Sequence, residues 1–293
     1  MQERPTDMAW LITDKIKAFA RTSPQNRMPE SDNTPFFDEP LVQFADGDDP
    51  IFTKYKSIIA PTHLTPREAL VKACDKDNLA APEHVSVISW ILPITEKTRQ
   101  SNRGETRTPT RLWSYTRNYG EKFNDALREY TVEFLTEMGY LAAAPMSQPY
   151  FESYTNEKGK YSNWSERHIA YAAGLGTFSL SDGFITESGI AMRCGSVVTD
   201  LLLPPSPRLA IGPYANCLFY ANGNCRACIA RCPAGAITED GHDKIRCDAY
   251  IHENIGHLME EYEVDETGCG LCQTNVPCEF CNPVNYNVSE NPI

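Results

Sequence analysis

The 293-residue sequence predicts a mixed α/β domain over residues 1–205 and a cysteine-rich module over residues 206–293. Three observations predict this division. Helix-like segments alternate with β-branched segments up to the pair Pro204-Pro205, that pair interrupts the pattern, and nine of the eleven cysteines follow it. Strands that alternate with helices are typical of an α/β domain. The length suffices for two domains with a substantial core.

Two helices are predicted in the first part of the chain. Apolar residues at helical spacing predict one over residues 8–21. Another starts at Thr65, because Thr65 can cap a helix, Pro66 suits its first position and Glu68 suits its third. The stretch between them, up to about residue 62, is rich in Pro, Asp and Asn and predicts long loops.

Two further helices are predicted in the middle of the chain. The longer one extends over about residues 118–138, with apolar residues three or four positions apart, and Gly139 ends it. Asn163 with Glu166 predicts the cap of a short Ala-rich helix that ends at Gly174, a usual residue for a left-handed C-cap.

Three strands are predicted between these helices. β-branched residues predict a buried strand over residues 84–94. Residues 140–145 and 194–203 predict two more strands, which completes the alternation expected of the first domain.

The net charge of −12 is distributed unevenly. Residues 217–293 contain four Lys and Arg against twelve Asp and Glu, whereas residues 97–128 contain eight basic residues against three acidic ones. The basic residues from Lys97 to Arg117 are interleaved with aromatic residues, which suits a phosphate-bearing or planar ligand. Arg117 is therefore a candidate cofactor-binding residue, and a solvated basic loop is the alternative.

No uninterrupted apolar stretch approaches the ~18 residues that span a bilayer, so we expect no membrane association. The N-terminal segment has no basic stretch before an apolar core, no cleavage site and no twin arginine. The sequence therefore predicts a soluble, cytoplasmic protein.

The order of the cysteines is that of a protein with two iron–sulfur clusters. From Cys225 to Pro233 the spacing C-x2-C-x3-C-P reproduces the end of the bacterial ferredoxin run, whose last cysteine ligates the other cluster. Disulfides belong to oxidising compartments, and structural zinc is the stronger alternative because paired C-x2-C motifs also bind zinc. The C-x3-C-P end and the small apolar residues after it favour clusters over zinc.

Eight thiolates suffice for two [4Fe-4S] clusters. The ligands predicted for the first cluster are Cys217, Cys225 and Cys228, with Cys278 or Cys281 as the fourth. The ligands predicted for the second cluster are Cys232, Cys247, Cys269 and Cys272. We take Cys278 as the provisional fourth ligand of the first cluster, and the choice between it and Cys281 stays open.

Four parts of the sequence resemble the epoxyqueuosine reductase and reductive dehalogenase group. They are Ala173–Gly176, Leu180–Ile185, Gly195–Asp200 and the double cysteine module, and the likeness extends over about residues 40–284. The resemblance implies a nitroreductase-like corrinoid-binding domain fused to a ferredoxin-like two-cluster module. The sequence lacks the D-x-H-x-x-G motif, in which a histidine coordinates cobalt, so the implied cobalamin would be base-off.

The resemblance also implies individual cofactor-binding residues. Gly174, Leu175 and Gly176 would form the turn against which the corrinoid lies, with Thr199 and Asp200 beside it. A helix C-cap and a turn cap are the ordinary alternatives for these residues.

A proton donor is the further group that such a reaction needs. The candidates are Tyr115, Tyr154, Lys160, Tyr161 and His168. A Tyr beside a Lys is similar to the acid pair of the dehalogenases, so we predict Tyr115, Lys160 and Tyr161 as the catalytic residues.

These observations predict a cobalamin-dependent iron–sulfur oxidoreductase that reductively cleaves a C–O or C–halogen bond of a small organic substrate. A low-potential donor such as ferredoxin or flavodoxin would supply electrons through the two clusters. The alternatives are a two-cluster electron-transfer protein and an activator that reduces the corrinoid of another protein.

The sequence argues against tRNA as the substrate. The net charge is −12, and Lys160 and Tyr161 stand where the tRNA-modifying members of the group have an acidic proton donor. The sequence also ends at Ile293 without the helical-repeat extension of those members. We therefore expect a small molecule rather than tRNA.

Overall fold

The structure is a computed structural model that describes residues 5–29, 33–74 and 82–285. Within these ranges the helices are α1 (Pro5–Thr22), α2 (Pro50–Ile58), α3 (Pro66–Cys74), α4 (Glu96–Arg103), α5 (Arg111–Glu137), α6 (Glu166–Ala172), α7 (Leu218–Asn222), α8 (Ala227–Arg231), α9 (Lys244–Tyr250) and α10 (Leu258–Tyr262). The strands are β1 (Leu41–Asp46), β2 (Ser86–Pro93), β3 (Ala142–Ala143), β4 (Ser153–Asn156), β5 (Gly159–Ser162), β6 (Gly176–Phe178), β7 (Phe184–Thr186), β8 (Met192–Thr199), β9 (Ile237–Thr238) and β10 (Gly241–His242).

The centre of the fold is a four-stranded antiparallel sheet in the order β1-β2-β8-β3. β2 is buried along its whole length, and its successive side chains point to opposite faces. Ile88, Trp90 and Leu92 pack into a core cluster with residues of α1 and α5. Val87 and Ile91 pack into a second core cluster with residues of α3 and α6. Helices therefore cover both faces of the sheet.

Most of the predicted elements are present. The predicted segments 8–21, 84–94, 140–145 and 194–203 overlap α1, β2, β3 and β8, although β3 has only two residues and β8 ends at Thr199. The predicted start of α3 is confirmed by a reciprocal capping box. The Thr65 N–H donates to Glu68 Oε2 (2.9 Å), and the Glu68 N–H donates to Thr65 Oγ1 (3.2 Å).

The loops predicted up to residue 62 are wrong in part, because that stretch contains β1 and α2. β1 lies at the sheet edge and is only partly buried, so its sequence carries little alternation. α2 begins at Pro50, and the Asp49 carboxylate accepts a hydrogen bond from the Ile51 N–H (2.9 Å). Asp followed by Pro is a recognised helix start that the polar composition of the stretch concealed.

The long helix α5 begins at Arg111 rather than near residue 118. The Thr110 hydroxyl caps it by accepting a hydrogen bond from the Trp113 N–H (3.3 Å). Together with α4, it places much of the basic stretch on helices instead of in a loop. Gly139 follows the end of α5 with a φ of +88°, which agrees with its predicted role.

Asn163 does not cap α6, contrary to the prediction. Its side-chain oxygen accepts from the Glu152 N–H (3.0 Å), and its amide donates to Tyr150 O (2.7 Å). The Glu166 carboxylate is turned into the core, where it accepts from Ser196 Oγ (2.6 Å). Both side chains therefore make tertiary contacts that local spacing does not reveal.

The cysteine-rich part consists of short helices and loops that pack on the sheet domain. The Ile190 N–H donates to Cys278 O (2.8 Å), which bonds the segment before β8 to the last cysteine group. The buried Glu279 carboxylate accepts from Arg103 Nη2 of α4 (2.7 Å). The domain boundary after residue 205 stays a prediction, and these contacts cross it.

The described residues form a mixed α/β structure with small antiparallel sheets, which confirms the predicted class at that level. The nitroreductase-like and ferredoxin-like details stay predictions. None of the helices in the described ranges combines the length and the apolar content that crossing a membrane requires.

Candidate functional site

Eight cysteines lie in two sets, and each set lines one cavity. The first thiol set is Cys217, Cys225, Cys228 and Cys278, and it lines the smaller, first cavity. The second thiol set is Cys232, Cys247, Cys269 and Cys272, and it lines the second cavity, of about 270 Å³. The structure thus brings together the residues that the spacing assigns to each cluster. That each set holds a cluster stays a prediction.

The first cavity has an apolar wall. Ile185, Phe219 and Val276 line it beside the thiols. The hydroxyls of Ser179 and Ser181 also line it, but they lie 3.0 Å apart and hydrogen-bond to each other. Among the described residues, none in this wall is charged. The first cavity therefore offers an uncharged, largely apolar environment.

Cys281 lies outside the wall of either cavity. Its thiol donates to Pro277 O (3.7 Å), whereas Cys278 lines the first cavity. Burial, and then the neighbouring thiols of Cys217 and Cys228, raise the pKa of Cys278 well above its ordinary value. The geometry favours Cys278 at the position that the spacing left open.

Burial keeps several of these thiols protonated in the absence of metal. It raises the pKa of Cys228 and of Cys269 to about 11, and it raises the pKa of Cys272 further. Metals bind the thiolate form, so binding iron would release these protons. Buried, clustered thiols of this kind are chemically suited to metal ligation.

The second cavity has a cationic wall. Arg117, Arg167 and Arg193 line it, together with the apolar side chains of Met192 and Trp113. No Asp or Glu of the described residues lines it. Arg117, the candidate that the basic stretch supplied, therefore lies at this cavity.

A buried charge network holds Arg193 in this wall. Its Nε lies 3.3 Å from Glu121 Oε2, and its Nη2 donates to Arg117 O (3.1 Å). Glu121 is shared with the buried Arg128, whose Nη1 lies 3.1 Å from Glu121 Oε1. Burial, opposed by Glu121, lowers the pKa of Arg193 to about 10, so this side chain stays charged at neutral pH.

Trp113 packs directly against the loop that carries two thiols of the second set. A Cβ at Gly270 would lie 2.0 Å from the Trp113 ring, and Gly270 has a φ of +63°. Both the contact and the conformation require glycine at this position. The indole therefore fixes the backbone between Cys269 and Cys272.

The glycine turn predicted to face a corrinoid is packed against the chain's own backbone. A Cβ at Gly174 would lie 2.6 Å from Pro207 O, and one at Gly176 would lie 2.3 Å from Ile185 O. Leu175 is buried in the core cluster on the side of α3 and α6. None of these three residues lines either cavity.

Thr199 and Asp200 hold the end of β8 to the segment before β3. Thr199 Oγ1 donates to Leu141 O (2.7 Å), and Asp200 Oδ1 accepts from the Leu141 N–H (2.8 Å). Neither residue lines a cavity, so the geometry gives both a structural role.

The three predicted catalytic residues lie apart from both cavities. Tyr115 lies on α5 and is buried in the core cluster that α1 and α5 form with the sheet. Lys160 Nζ lies 2.8 Å from Asp248 Oδ1, which ties β5 to α9. Tyr161 stacks on Tyr154 with ring centroids 5.3 Å apart. The structure does not bring these side chains together.

Sequence reasoning missed Arg193 and the specific role of Trp113. Arg193 lies one residue before the predicted strand 194–203, so the prediction left it outside the strand, whereas the observed β8 begins at Met192 and includes it. Trp113 was noted only as one aromatic residue of the basic stretch.

No protein-family model matches the chain, and no curated protein matches it either. Solved structures do match. A crystal structure of selenomethionine-labelled epoxyqueuosine reductase has a TM-score of 0.53 and 15% identity, over 94% of this chain and 66% of that one. The structure of epoxyqueuosine reductase from Bacillus subtilis has a TM-score of 0.50 and 15% identity, over the same shares of the two chains. The chain shares the fold of epoxyqueuosine reductase.

A third similar structure is epoxyqueuosine reductase with an epoxyqueuosine-modified tRNA-Tyr stem loop, at a TM-score of 0.49 and 17% identity, over 92% of this chain and 66% of that one. The chain spans 66% of the length of these structures, just under two thirds. The resemblance found in the sequence is confirmed as a likeness of fold.

The prediction that excluded tRNA is wrong. A structure similar to this chain is an epoxyqueuosine reductase with a tRNA stem loop.

Proposed function

We propose that the chain is an iron–sulfur oxidoreductase that reductively cleaves a C–O bond of a substrate bound in the second cavity. The observation that carries the proposal is a pair of cavities, each lined by four cysteine thiols. The two sets are neighbours, because Ser181 lines both cavities. The fold shared with epoxyqueuosine reductase supports the reaction type.

The donor sets fit two [4Fe-4S] clusters, since each set offers four thiols and such clusters are held by four Cys thiolates. The first thiol set would hold one cluster and the second thiol set the other. When bound, such clusters supply single electrons at low potential.

The surrounding residues have separate tasks in this proposal. The apolar wall of the first cavity keeps the surroundings of the first thiol set uncharged. Trp113 fixes the Cys269 to Cys272 loop by packing on Gly270. Arg117 and Arg193 provide the charged side of the second cavity, where a substrate is oriented.

The reaction balances with an external donor. A low-potential electron carrier of the ferredoxin or flavodoxin class supplies two electrons one at a time, and water supplies two protons. The C–O bond breaks, the carbon side is reduced, and the oxygen leaves protonated. An epoxide, for example, loses both of its C–O bonds on uptake of the two electrons and two protons, and becomes an alkene and water.

Cobalamin is implied by the sequence resemblance, but the residues named for it do not fit that role. Gly174 and Gly176 approach the chain's own backbone, and Thr199 and Asp200 bond to Leu141. No step of the proposal passes through cobalamin. Its presence is a matter for direct measurement of cobalt.

The cofactors are tested by anaerobic purification after expression with added cobalamin, followed by quantification of iron, sulfide and cobalt per chain. About eight iron per chain are expected from two four-iron clusters. A Cys247→Ser variant should keep about four of them, because it removes a ligand of the second set only.

The reaction is tested with reduced flavodoxin and two C–O substrates, cyclohexene oxide and an epoxyqueuosine-modified tRNA stem loop. Product from either one supports the reductase, and the Cys247→Ser variant should abolish it. About eight iron without product from either substrate, together with electron release to an acceptor protein, would leave a two-cluster carrier instead.

A further inference from the structure

Apart from the second thiol set, the charged side chains in the wall of the second cavity have one sign of charge. They include three arginines, and the carboxylates of Glu266 and Glu121, which pair with Arg117 and Arg193, do not line the cavity. A water-poor cleft that is lined by one sign of charge concentrates ligands of the opposite sign. The wall therefore selects for an anionic ligand.

Arg193 is the residue best placed to bind that anion. It lies on β8 in the central sheet, and Glu121 and the Arg117 carbonyl hold its Nε and Nη2. Glu121 is also occupied by Arg128, so its charge is shared between two guanidinium groups. A guanidinium fixed in this way is pre-organised for a carboxylate, which it binds with parallel hydrogen bonds.

The rest of the wall restricts the size and polarity of the ligand. The cavity measures about 270 Å³, below the usual range for drug-sized ligands, and a cluster on the second thiol set would take part of that space. Trp113, Met192 and Ile94 supply apolar surface beside the arginines. This combination suits a small organic acid with an apolar body.

We propose that the second cavity binds a small carboxylate, with Arg193 as the residue that contacts the carboxylate and Glu121 as the residue that positions Arg193. The inference rests on the proposed function, because it specifies the substrate class of that cavity. The opposing explanation is that the arginines only balance the negative charge of the second cluster.

The test uses the holoprotein and phenylacetate as the probe, with neutral phenylacetamide as its matched control. Isothermal titration calorimetry should show saturable binding of phenylacetate and binding of phenylacetamide at least tenfold weaker. Arg193→Gln should weaken phenylacetate binding at least tenfold, and Arg193→Lys should weaken it less because a point charge remains. Lys122→Gln, which removes an exposed cation outside the cavity, should leave binding unchanged.

Three results would overturn the proposal. They are equal binding of phenylacetate and phenylacetamide, unchanged phenylacetate binding in Arg193→Gln at full iron content, and stronger binding of inorganic phosphate than of phenylacetate. Phenylacetate binding that depends on Arg193 supports the site even if no C–O substrate turns over. The failure of the reductase reaction and the failure of the anion site are therefore distinguishable.

Discussion

Each of the two thiol sets offers four sulfurs, but the surroundings of the two sets differ. The wall of the first cavity is apolar, and its hydroxyls bond to each other. The second cavity is larger and carries three arginines. Because both sites have four cysteine ligands, we infer the role of each cluster from the residues around it. An apolar site suits electron relay, and a roomy cationic site suits contact with a substrate.

Replacing Gly270 should produce the largest difference in iron content between the two thiol sets. Gly270→Ala places a methyl group against the Trp113 ring and forces a strained φ, so the second thiol set should fail to assemble. We expect about four of eight iron to be lost while the first cluster remains. Iron and sulfide analysis with electron paramagnetic resonance measures this.

Gly104→Ala is the matched control, because a Cβ there meets nothing within 4 Å. It should retain the full iron content. Equal iron loss in both variants, or loss of all iron in Gly270→Ala, would contradict the expectation that the first cluster assembles without the second.

The second prediction separates Cys278 from Cys281. Cys278→Ser should cost the first cluster, about four iron, because Cys278 lines the first cavity. Cys281→Ser should keep about eight iron, because that thiol bonds to Pro277 O instead. The reverse pattern in the iron content would show that the cluster takes the other cysteine.

The fold was predictable where local chemistry decides it. The capping box of Thr65 and Glu68 forms as their spacing requires. β1 escaped prediction because an edge strand needs little alternation, and its place depends on pairing with β2 across some 40 residues of chain.

The candidate site was predictable only in its sulfurs. The cysteine spacing assigned seven of the eight thiols to a set, and the choice between Cys278 and Cys281 required the fold. The Gly174 to Gly176 turn and the Thr199 to Asp200 pair look the same whether they face a ligand or a neighbouring backbone. Arg193 reaches the second cavity only through the pairing of β8 with β2, which the sequence does not display.

The third prediction concerns how the first thiol set is attached to the sheet domain. Glu279 follows Cys278, is 2% exposed, and lies 2.7 Å from Arg103 Nη2. Glu279→Gln removes a buried charge from this pair and should cost about 2 kcal/mol. The midpoint of thermal unfolding should fall by roughly 4 to 8 °C.

Glu96→Gln serves as the control for Glu279→Gln, because Glu96 contacts the same arginine from the surface. Its midpoint should change by less than about 2 °C, since exposed ion pairs contribute little. Equal shifts in the two variants would show that the buried pair does not anchor the first thiol set.

The fourth prediction concerns the order of the two reduction potentials. Reduction adds negative charge to a cluster, so nearby arginines should raise the potential of the second cluster and the apolar wall should lower that of the first. Arg117→Gln should lower only the second potential. Redox titration followed by electron paramagnetic resonance measures both, and a shift of the first potential alone would contradict the assignment.

The smallest expected effect tests whether the sheet domain, rather than either thiol set, limits the stability of the folded protein in acid. His63 is buried outside both cavities, and burial lowers its pKa to about 4. Between pH 6.5 and pH 4, His63 therefore binds a proton in the unfolded chain but not in the folded chain. The free energy of unfolding falls as the pH falls. His63→Gln should reduce the drop in the unfolding midpoint between pH 7 and pH 5, whereas His84→Gln, at an exposed position, should match the unsubstituted protein. Identical pH profiles for all three proteins would assign the acid sensitivity to other groups.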